Sequence, residues 1–128
     1  MSLSLLLSSC ENTENKSGNK IIGKSDMMIK NGLMTPEVLF NFGRIGNFSI
    51  SKDKQKIAYE VRYYSIPENK SNCEIMLMNA DGTNKKQITN AAFSESNPVF
   101  VDNDQKILFL NNESGKSQIW IMNIDGTE

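Results

Sequence analysis

The chain has 128 residues, of which 38% are hydrophobic and 23% are charged, and its formal net charge is −1. This length allows one modest domain, and the balanced charge argues against a nucleic-acid partner or an electrostatic membrane patch. The sequence contains no His, so the commonest general base and metal ligand is absent. No apolar run approaches the roughly 18 residues that a transmembrane helix needs.

The first ten residues resemble the end of a bacterial lipoprotein signal. Leu7, two serines and Cys10 match a lipobox, in which small residues fit a signal peptidase and the thiol receives lipid. No Lys or Arg precedes Lys16 and the apolar stretch is short, so residues 1–10 correspond to a truncated signal. A chance leader rich in Leu and Ser is the alternative. The match makes Cys10 a lipidation candidate and predicts a periplasmic or outer-membrane lipoprotein of the bacterial cell envelope, with membrane contact only through the anchor.

Residues 11–33 are rich in Asn, Lys, Ser and Gly and contain few apolar side chains. Such a composition cannot bury enough surface to offset the entropy of ordering, so it predicts a flexible tether. A disulfide between Cys10 and Cys73 is disfavoured, because Cys10 belongs to a segment predicted to be disordered. Two unpaired thiols without a special role are the alternative to lipidation at Cys10.

The stretch TPEVLFNFG predicts a short helix over residues 35–42. Thr35 is suited to the N-cap, the following Pro to the first helical position, and Gly43 to the stop. We expect Leu39 and Phe42 to anchor this helix on the structure that follows.

After the helix, the apolar pattern changes to period two, and the sequence repeats itself. Residues 48–59 match residues 98–109, and residues 75–83 match residues 119–127. The two offsets differ because the first copy has a longer loop around Pro67. A repeat of about 45 residues that contains several short strands is typical of a β-propeller blade.

The repeat predicts an all-β fold of antiparallel four-stranded blades, preceded by the short helix and the disordered tether. One complete blade covers about residues 46–90, and an incomplete blade covers about 96–128, within a partial propeller over 34–128. The strands predicted for the first blade are 48–51, 56–64, 74–79 and 86–89. The second copy ends at the turn before its fourth strand, so we expect that strand to be missing.

The hexapeptides MNADGT and MNIDGT fall between the third and fourth strands of consecutive blades. Asp–Gly pairs supply the positive φ of tight hairpins, so Asp81, Gly82, Asp125 and Gly126 are interpreted as structural turn residues rather than as a calcium or substrate site. The stretch at 102–104 starts like a calcium loop but lacks the Gly and the closing Glu. We predict no catalytic residue, no cofactor and no metal site in this chain.

The stretches SKDKQKIAYE, EIMLMNADGTNKKQIT and NPVFVDNDQKILFLNNESGKSQIWIMNIDGT resemble the blades of TolB-type propellers and of the prolyl oligopeptidase family. The opening MTPE and the long hairpin YEVRYYSIPENKSNCEI resemble the dipeptidyl-peptidase-type members of the prolyl oligopeptidase family. The resemblance covers residues 34–128.

Full members of that family are serine peptidases, in which a propeller guards a C-terminal α/β-hydrolase domain with a Ser–Asp–His triad. This chain has no His and no Gly-x-Ser-x-Gly. The resemblance therefore implies a non-catalytic N-terminal segment that acts as substrate gate and scaffold. Its implied partners are the rest of the propeller, the hydrolase domain and, in the full-length parent, a peptide substrate. Exposed blade faces would also favour self-association.

Two alternatives to the peptidase segment stay open from the sequence. One is a TolB-like propeller that binds proteins in the cell envelope, and the other is a stand-alone small β protein. Among single residues, Trp120 is interpreted as core rather than as a ligand platform. Tyr63 and Tyr64 are expected on the long hairpin, where they can face a neighbouring domain. Arg44 and Arg62 are candidates for a carboxylate anchor, with a surface or inter-strand ion pair as the simpler interpretation.

Overall fold

The structure is a computed structural model that describes residues 22–24 and 29–127. The predicted signal segment with Cys10, and most of the predicted tether, lie outside the described residues. The described elements are a 3-10 turn at Lys30–Gly32, helix α1 at Pro36–Asn41, and seven strands: β1 Arg44–Ile50, β2 Lys56–Ser65, β3 Lys70–Asn79, β4 Lys86–Gln87, β5 Glu95–Val101, β6 Lys106–Asn111 and β7 Gln118–Asn123.

The strands form two antiparallel sheets, one for each copy of the repeat. The first sheet has the order β1-β2-β3-β4 and the second has the order β5-β6-β7. This arrangement confirms the all-β prediction of one four-stranded blade and one incomplete blade, with a short helix in front.

The hairpin of β2 and β3 is longer than the apolar pattern predicted. The two strands pair without a break from Lys56↔Asn79 to Ser65↔Lys70, so the polar stretch at 70–73 belongs to the third strand. The fourth strand is shorter than predicted, although Ile88 N still donates to Ile75 O at 2.9 Å.

Helix α1 begins where its capping residues predicted, but a different side chain anchors it. Thr35 Oγ1 accepts a hydrogen bond from Val38 N at 3.3 Å. Leu39 and Phe42 were expected to be the anchors and are 49% and 48% exposed, whereas Val38 is buried. For Phe42 the reason is that the helix ends at Asn41: Phe42 has an extended backbone with ψ of 132°, so it leaves the helical face. Leu39 remains in the helix, on the side turned away from the buried Val38.

Gly43 follows the helix, but it does not adopt the left-handed conformation of a glycine stop, since it is absent from the positive-φ glycines of the described chain. A Cβ at this position would lie 2.6 Å from Val61 Cγ1 and 2.8 Å from Tyr63 Cε1. Gly43 is therefore explained by the close approach of the chain to β2 rather than by helix termination.

The core of the molecule lies between the two blades. It combines side chains of both sheets: Ala58, Ile75, Leu77, Ile107, Phe109 and Met122. Burial of each large apolar side chain contributes about 1.5–3 kcal/mol, so this face-to-face contact joins the blades into one unit. Trp120 is partly buried against the same cluster, in keeping with its interpretation as a core residue.

Both blades have exposed apolar side chains on their outward faces. On β7, Ile119 and Ile121 are 69% and 52% exposed, although Ile75 and Leu77, at the matching repeat positions, are buried. On β1, Phe48 is 64% exposed. The outward face of the second blade is therefore open among the described residues. That of the first blade is partly covered, since Val61 is buried beside Gly43 and α1.

Candidate functional site

The repeated hexapeptide closes each hairpin with its own side chains. Asp81 Oδ1 accepts from Thr83 N at 2.9 Å and from Thr83 Oγ1 at 2.6 Å, and Asn79 Nδ2 donates to Thr83 Oγ1 at 3.0 Å. Gly82 has a φ of +84°, and its N–H donates to Asn79 O at 2.9 Å. Every polar residue of the Asn-x-Asp-Gly-Thr motif therefore has a role in the turn.

The second copy of the hexapeptide repeats this geometry. Asp125 Oδ1 accepts from Thr127 N at 2.9 Å and from Thr127 Oγ1 at 2.7 Å, and Gly126 has a φ of +94°. The hydrogen bonds from the Thr hydroxyls and N–H groups lower the pKa of Asp81 and of Asp125. Both carboxylates are thus engaged inside their own turns.

The loop at 102–104 joins β5 to β6 and is hydrogen-bonded to the first blade. Asp102, Asn103 and Asp104 have φ values of 53°, 51° and 67°, in the left-handed region that Asn and Asp tolerate best among non-glycine residues. Asp104 Oδ1 accepts from Lys52 N of the facing blade at 2.9 Å. Within residues 22–24 and 29–127, no group of three or more His, Cys, Asp and Glu is placed to hold a metal ion.

Further hydrogen bonds cross the junction between the blades. Asn97 N donates to Glu60 Oε2 at 2.8 Å, and Phe100 N donates to Ser49 Oγ at 3.2 Å. Together with Asp104, these acceptors bind four N–H groups, two on β5 and two in the first-blade loop, so the polar bonds fix the register in which the apolar core packs.

An aromatic and cationic cluster lies where α1 meets the long hairpin. The Arg44 guanidinium carbon lies 5.2 Å from the centre of the Phe40 ring and 4.7 Å from that of Tyr64. The two rings meet edge to face, with centres 6.3 Å apart. Arg44 therefore stacks on aromatic faces, which differs from the ion pair considered from the sequence. Arg62 Nη1 donates to Ser71 Oγ at 3.3 Å, across the hairpin.

Two open cavities lie beside this cluster. One, of about 370 Å³, is lined by Phe40, Tyr64, Ile66 and Lys70, among others. The larger, of about 540 Å³, lies on the outward face of the first blade and includes Tyr63. Burial raises the pKa of Tyr63, with smaller contributions from Tyr59 and Glu74. Both cavities are open apolar surfaces suited to packing against further polypeptide.

Sequence reasoning missed a set of buried carboxyl groups at the junction. Glu74 is 1% exposed, and its oxygens accept from Asn72 Nδ2 at 2.7 Å and Thr89 Oγ1 at 2.9 Å. Burial raises the pKa of Glu74 to about 8 against the lowering effect of the Thr89 hydrogen bond, and the neighbouring Glu95 raises it further. The alternating strand pattern gave no signal, because a Glu at the edge of an apolar run reads as exposed.

Cys73 is adjacent to this cluster in sequence and in space. Its side chain is fully buried and is a free thiol. Burial raises the pKa of Cys73 to about 11, and the Glu60 carboxyl adds to the rise. A thiol in this environment is a packing residue rather than a nucleophile. The other cysteine of the sequence, Cys10, lies outside the described residues.

The described residues form turns, contacts between the blades and a buried acid cluster. Among these residues, no nucleophile lies beside a base. No helix in the described part is long and apolar enough to cross a membrane. Two consecutive antiparallel sheets, packed face to face with their outward faces apolar, define a segment of a β-propeller.

Comparisons with known proteins agree with this class. Dipeptidyl-peptidase 5 of Porphyromonas endodontalis is 30% identical over 99 residues, which are 77% of this chain and 14% of that protein. Dipeptidyl-peptidase 5 of Porphyromonas gingivalis is 34% identical over 86 residues, 67% of this chain and 13% of that protein. The chain therefore spans about a seventh of these relatives.

The fold has solved counterparts, although no family model matches the sequence. An acylaminoacyl peptidase in complex with Z-Gly-Gly-Phe-chloromethyl ketone superposes with a TM-score of 0.58 at 20% identity, over 70% of this chain and 14% of that one. This likeness shows the fold. The two relatives place the chain in the prolyl oligopeptidase family, as an N-terminal propeller segment.

Proposed function

We propose that this chain is the first part of the substrate gate of a serine peptidase of the dipeptidyl type, and that it is not catalytic by itself. The observation that carries this role is the pair of consecutive blades, packed through one apolar core, in a sequence 30% identical to a dipeptidyl-peptidase over most of its length. In the full-length parent, the ring of blades would admit short peptides and exclude folded proteins by size.

Hydrolysis of a dipeptidyl p-nitroanilide tests whether the full-length parent is catalytic and this chain alone is not. We expect the full-length gene product to release p-nitroaniline and the 128-residue chain to release none. The parent with its hydrolase serine replaced by Ala is the matched control. Hydrolysis by the 128-residue chain itself would overturn the proposal, and an inactive parent made of further blades alone would favour the TolB-like alternative.

The gate is tested by offering one cleavable sequence in two forms. The full-length parent should hydrolyse it as a short peptide and leave it intact when it is the N-terminus of a tightly folded protein. The unfolded form of that protein serves as the control for sequence preference. Equal rates for the short peptide and the folded protein would rule out steric gating.

For the location, we propose that Cys10 bears a lipid that anchors the parent to the bacterial cell envelope. The support is the Leu-Ser-Ser-Cys sequence at residues 7–10, followed by a polar stretch long enough to act as a spacer. Mass spectrometry of membrane fractions should find an N-terminal lipidated Cys10, and a Cys10→Ser variant should move to the soluble fraction. An unlipidated, uncleaved N-terminus on the protein with its native upstream sequence would refute the anchor.

The isolated chain is proposed to self-associate through its outward blade faces. The support is the apolar surface around Ile119 and Ile121 on one side and Phe48 on the other. Sedimentation velocity over a hundredfold range of concentration should show a rising average mass. Ile121→Lys should reduce the association, whereas Lys116→Glu, on an exposed loop, should not. A monomer throughout would contradict this.

A further inference from the structure

Three carboxyl groups are buried where the two blades meet. Glu60 lies on β2, Glu74 lies on β3 and Glu95 begins β5, so both blades contribute. A carboxylate removed from water stays ionised only where hydrogen-bond donors or positive charge replace its hydration. The donors around each group therefore decide which of the three retains a proton.

Glu74 receives donors at both oxygens but is not neutralised by them. Asn72 Nδ2 donates to its Oε1, and Thr89 donates its hydroxyl proton to Oε2. Thr89 Oγ1 itself accepts from Ile75 N at 2.9 Å, which fixes the direction of the hydroxyl. Both donors are neutral, as is the backbone N–H of Ala91 that also lowers the pKa of Glu74, so none of them supplies the positive charge that an ionised Glu74 would need in this buried position.

Glu95 brings a second carboxyl group into contact with Glu74. The charge and the side chain of Glu95 both raise the pKa of Glu74, and Asn111 Nδ2 donates to Glu95 Oε1 at 3.3 Å. Two carboxyl groups in contact in a buried site do not both ionise readily, because the like charges repel at short range and water is excluded. A single proton held between them gives the contact a donor as well as an acceptor.

The surrounding charges favour retention of that proton. Glu60, a third buried carboxyl group, accepts from Asn97 N, and Glu60, Glu74 and Glu95 all raise the pKa of the adjacent Cys73 thiol. The charge of Arg62 lowers the pKa of the Cys73 thiol, against the carboxyl groups that raise it. Its guanidinium donates to Ser71 on the exposed side of the hairpin.

We propose that Glu74 and Glu95 share one proton across the junction of the two blades, and that loss of this proton in mildly alkaline solution loosens the junction. Glu74 ionises freely in the unfolded chain near the ordinary glutamate pKa of 4.5 and in the folded chain near a pKa of about 8. The stabilising contribution of the proton is therefore complete below about pH 4.5 and is lost as the pH rises through about 8.

Urea unfolding of the 128-residue chain at one fixed protein concentration, from pH 5.5 to 9, tests the proposal. The folding equilibrium constant should fall with pH by up to about tenfold per pH unit below pH 8. Glu74→Gln, which replaces the protonated acid by a neutral amide, should flatten this profile. Glu113→Gln, at an exposed loop position, should keep the wild-type slope. Equal slopes for wild type and Glu74→Gln would overturn the proposal.

Two measurements on the wild-type chain need no variant to fold. Carbon-13 NMR should find one glutamate carboxyl that titrates between about pH 7 and 9, and titration of every glutamate below pH 6 would overturn the shared proton. Amide exchange reports the junction itself. The exchange rate of Asn97 N, which bonds across the blades, should rise at least fivefold between pH 7 and 9 relative to Ile88 N, which bonds within one blade. A constant ratio would overturn the loosening.

Discussion

The carboxylate of Asp104 in the second blade accepts a hydrogen bond from the backbone N–H of Lys52 in the first, at 2.9 Å. Its other oxygen accepts from the N–H of Asp53 at 3.3 Å. Lys52 and Asp104 are 52 positions apart in the chain, and each lies in the tight turn between the first two strands of its own blade. The repeat thus places a turn of one blade as a cap on the corresponding turn of the next.

Replacing Asp104 by Ala should lower the free energy of unfolding by about 1 kcal/mol more than replacing Asp102, because two backbone donors lose a charged acceptor while both positions share a left-handed φ that Ala disfavours. Asp102→Ala is the matched control. It removes an exposed ion pair with Lys106, with 3.3 Å between Nζ and Oδ2, which is expected to contribute less than about 0.5 kcal/mol. Urea denaturation of both variants measures the difference, and an equal loss in the two would argue against the cap.

The twin hexapeptides predict unequal costs for the same substitution. Gly82→Ala should destabilise by about 1–2 kcal/mol, because its φ of +84° is unfavourable for an L residue in otherwise open space. Gly126→Ala should cost more, since its Cβ would also lie 2.9 Å from Ile88 O. Thermal denaturation ranks the two variants, with Gly23→Ala, which meets no atom within 4 Å, as a neutral reference. The reverse ranking would contradict the turn geometry.

The stacking of Arg44 on Tyr64 predicts an energetic coupling. In a double-mutant cycle with Arg44→Met and Tyr64→Leu, we expect a coupling energy of about 0.5–1 kcal/mol from the lost cation–π contact. Raising the salt concentration to about 1 M should change this value little, since the ring and the guanidinium are in direct contact. Additive effects of the two substitutions would show that the contact contributes no stability.

The buried thiol predicts slow chemistry at Cys73. At pH 8, a thiol with a pKa of about 11 is ionised to roughly one part in a thousand, and burial also denies access to a reagent. In a Cys10→Ser background, reaction with a disulfide reagent should therefore follow unfolding rather than precede it. Addition of urea above the midpoint is the positive control. Rapid labelling in native buffer would show that the end of the hairpin opens.

Much of the architecture was predictable because the same sequence pattern occurs in both copies of the repeat. Period-two alternation and the matched Asp–Gly pairs gave the two blades, and Thr35 gave the start of the helix. The prediction that Leu39 and Phe42 anchor the helix was wrong. The two residues have helical spacing, but the helix ends before Phe42. Periodicity indicates which face of a helix or strand is buried, but it does not determine at which residue that element ends.

The buried acid pair had no signal in the sequence. Glu74 stands at the start of an apolar run and Glu95 stands between two serines, so the sequence predicts that each faces solvent. Their contact arises because strands from two blades converge, a relationship between residues that share no local pattern. The side-chain bonds of the hexapeptide are intermediate: the turn was predictable from Asp–Gly, whereas the part played by Thr83 required coordinates.

The central claim is that the two sheets, β1–β4 and β5–β7, are consecutive blades of a larger propeller. Thiol labelling of the full-length gene product tests it. In a Cys10→Ser background, a cysteine replaces Ile121 on the outward face of β7 or Lys116 on the exposed loop before it. The cysteine at position 121 should react at least about tenfold more slowly than the one at 116, because the next blade covers it. Equal reaction rates at the two positions would contradict the claim.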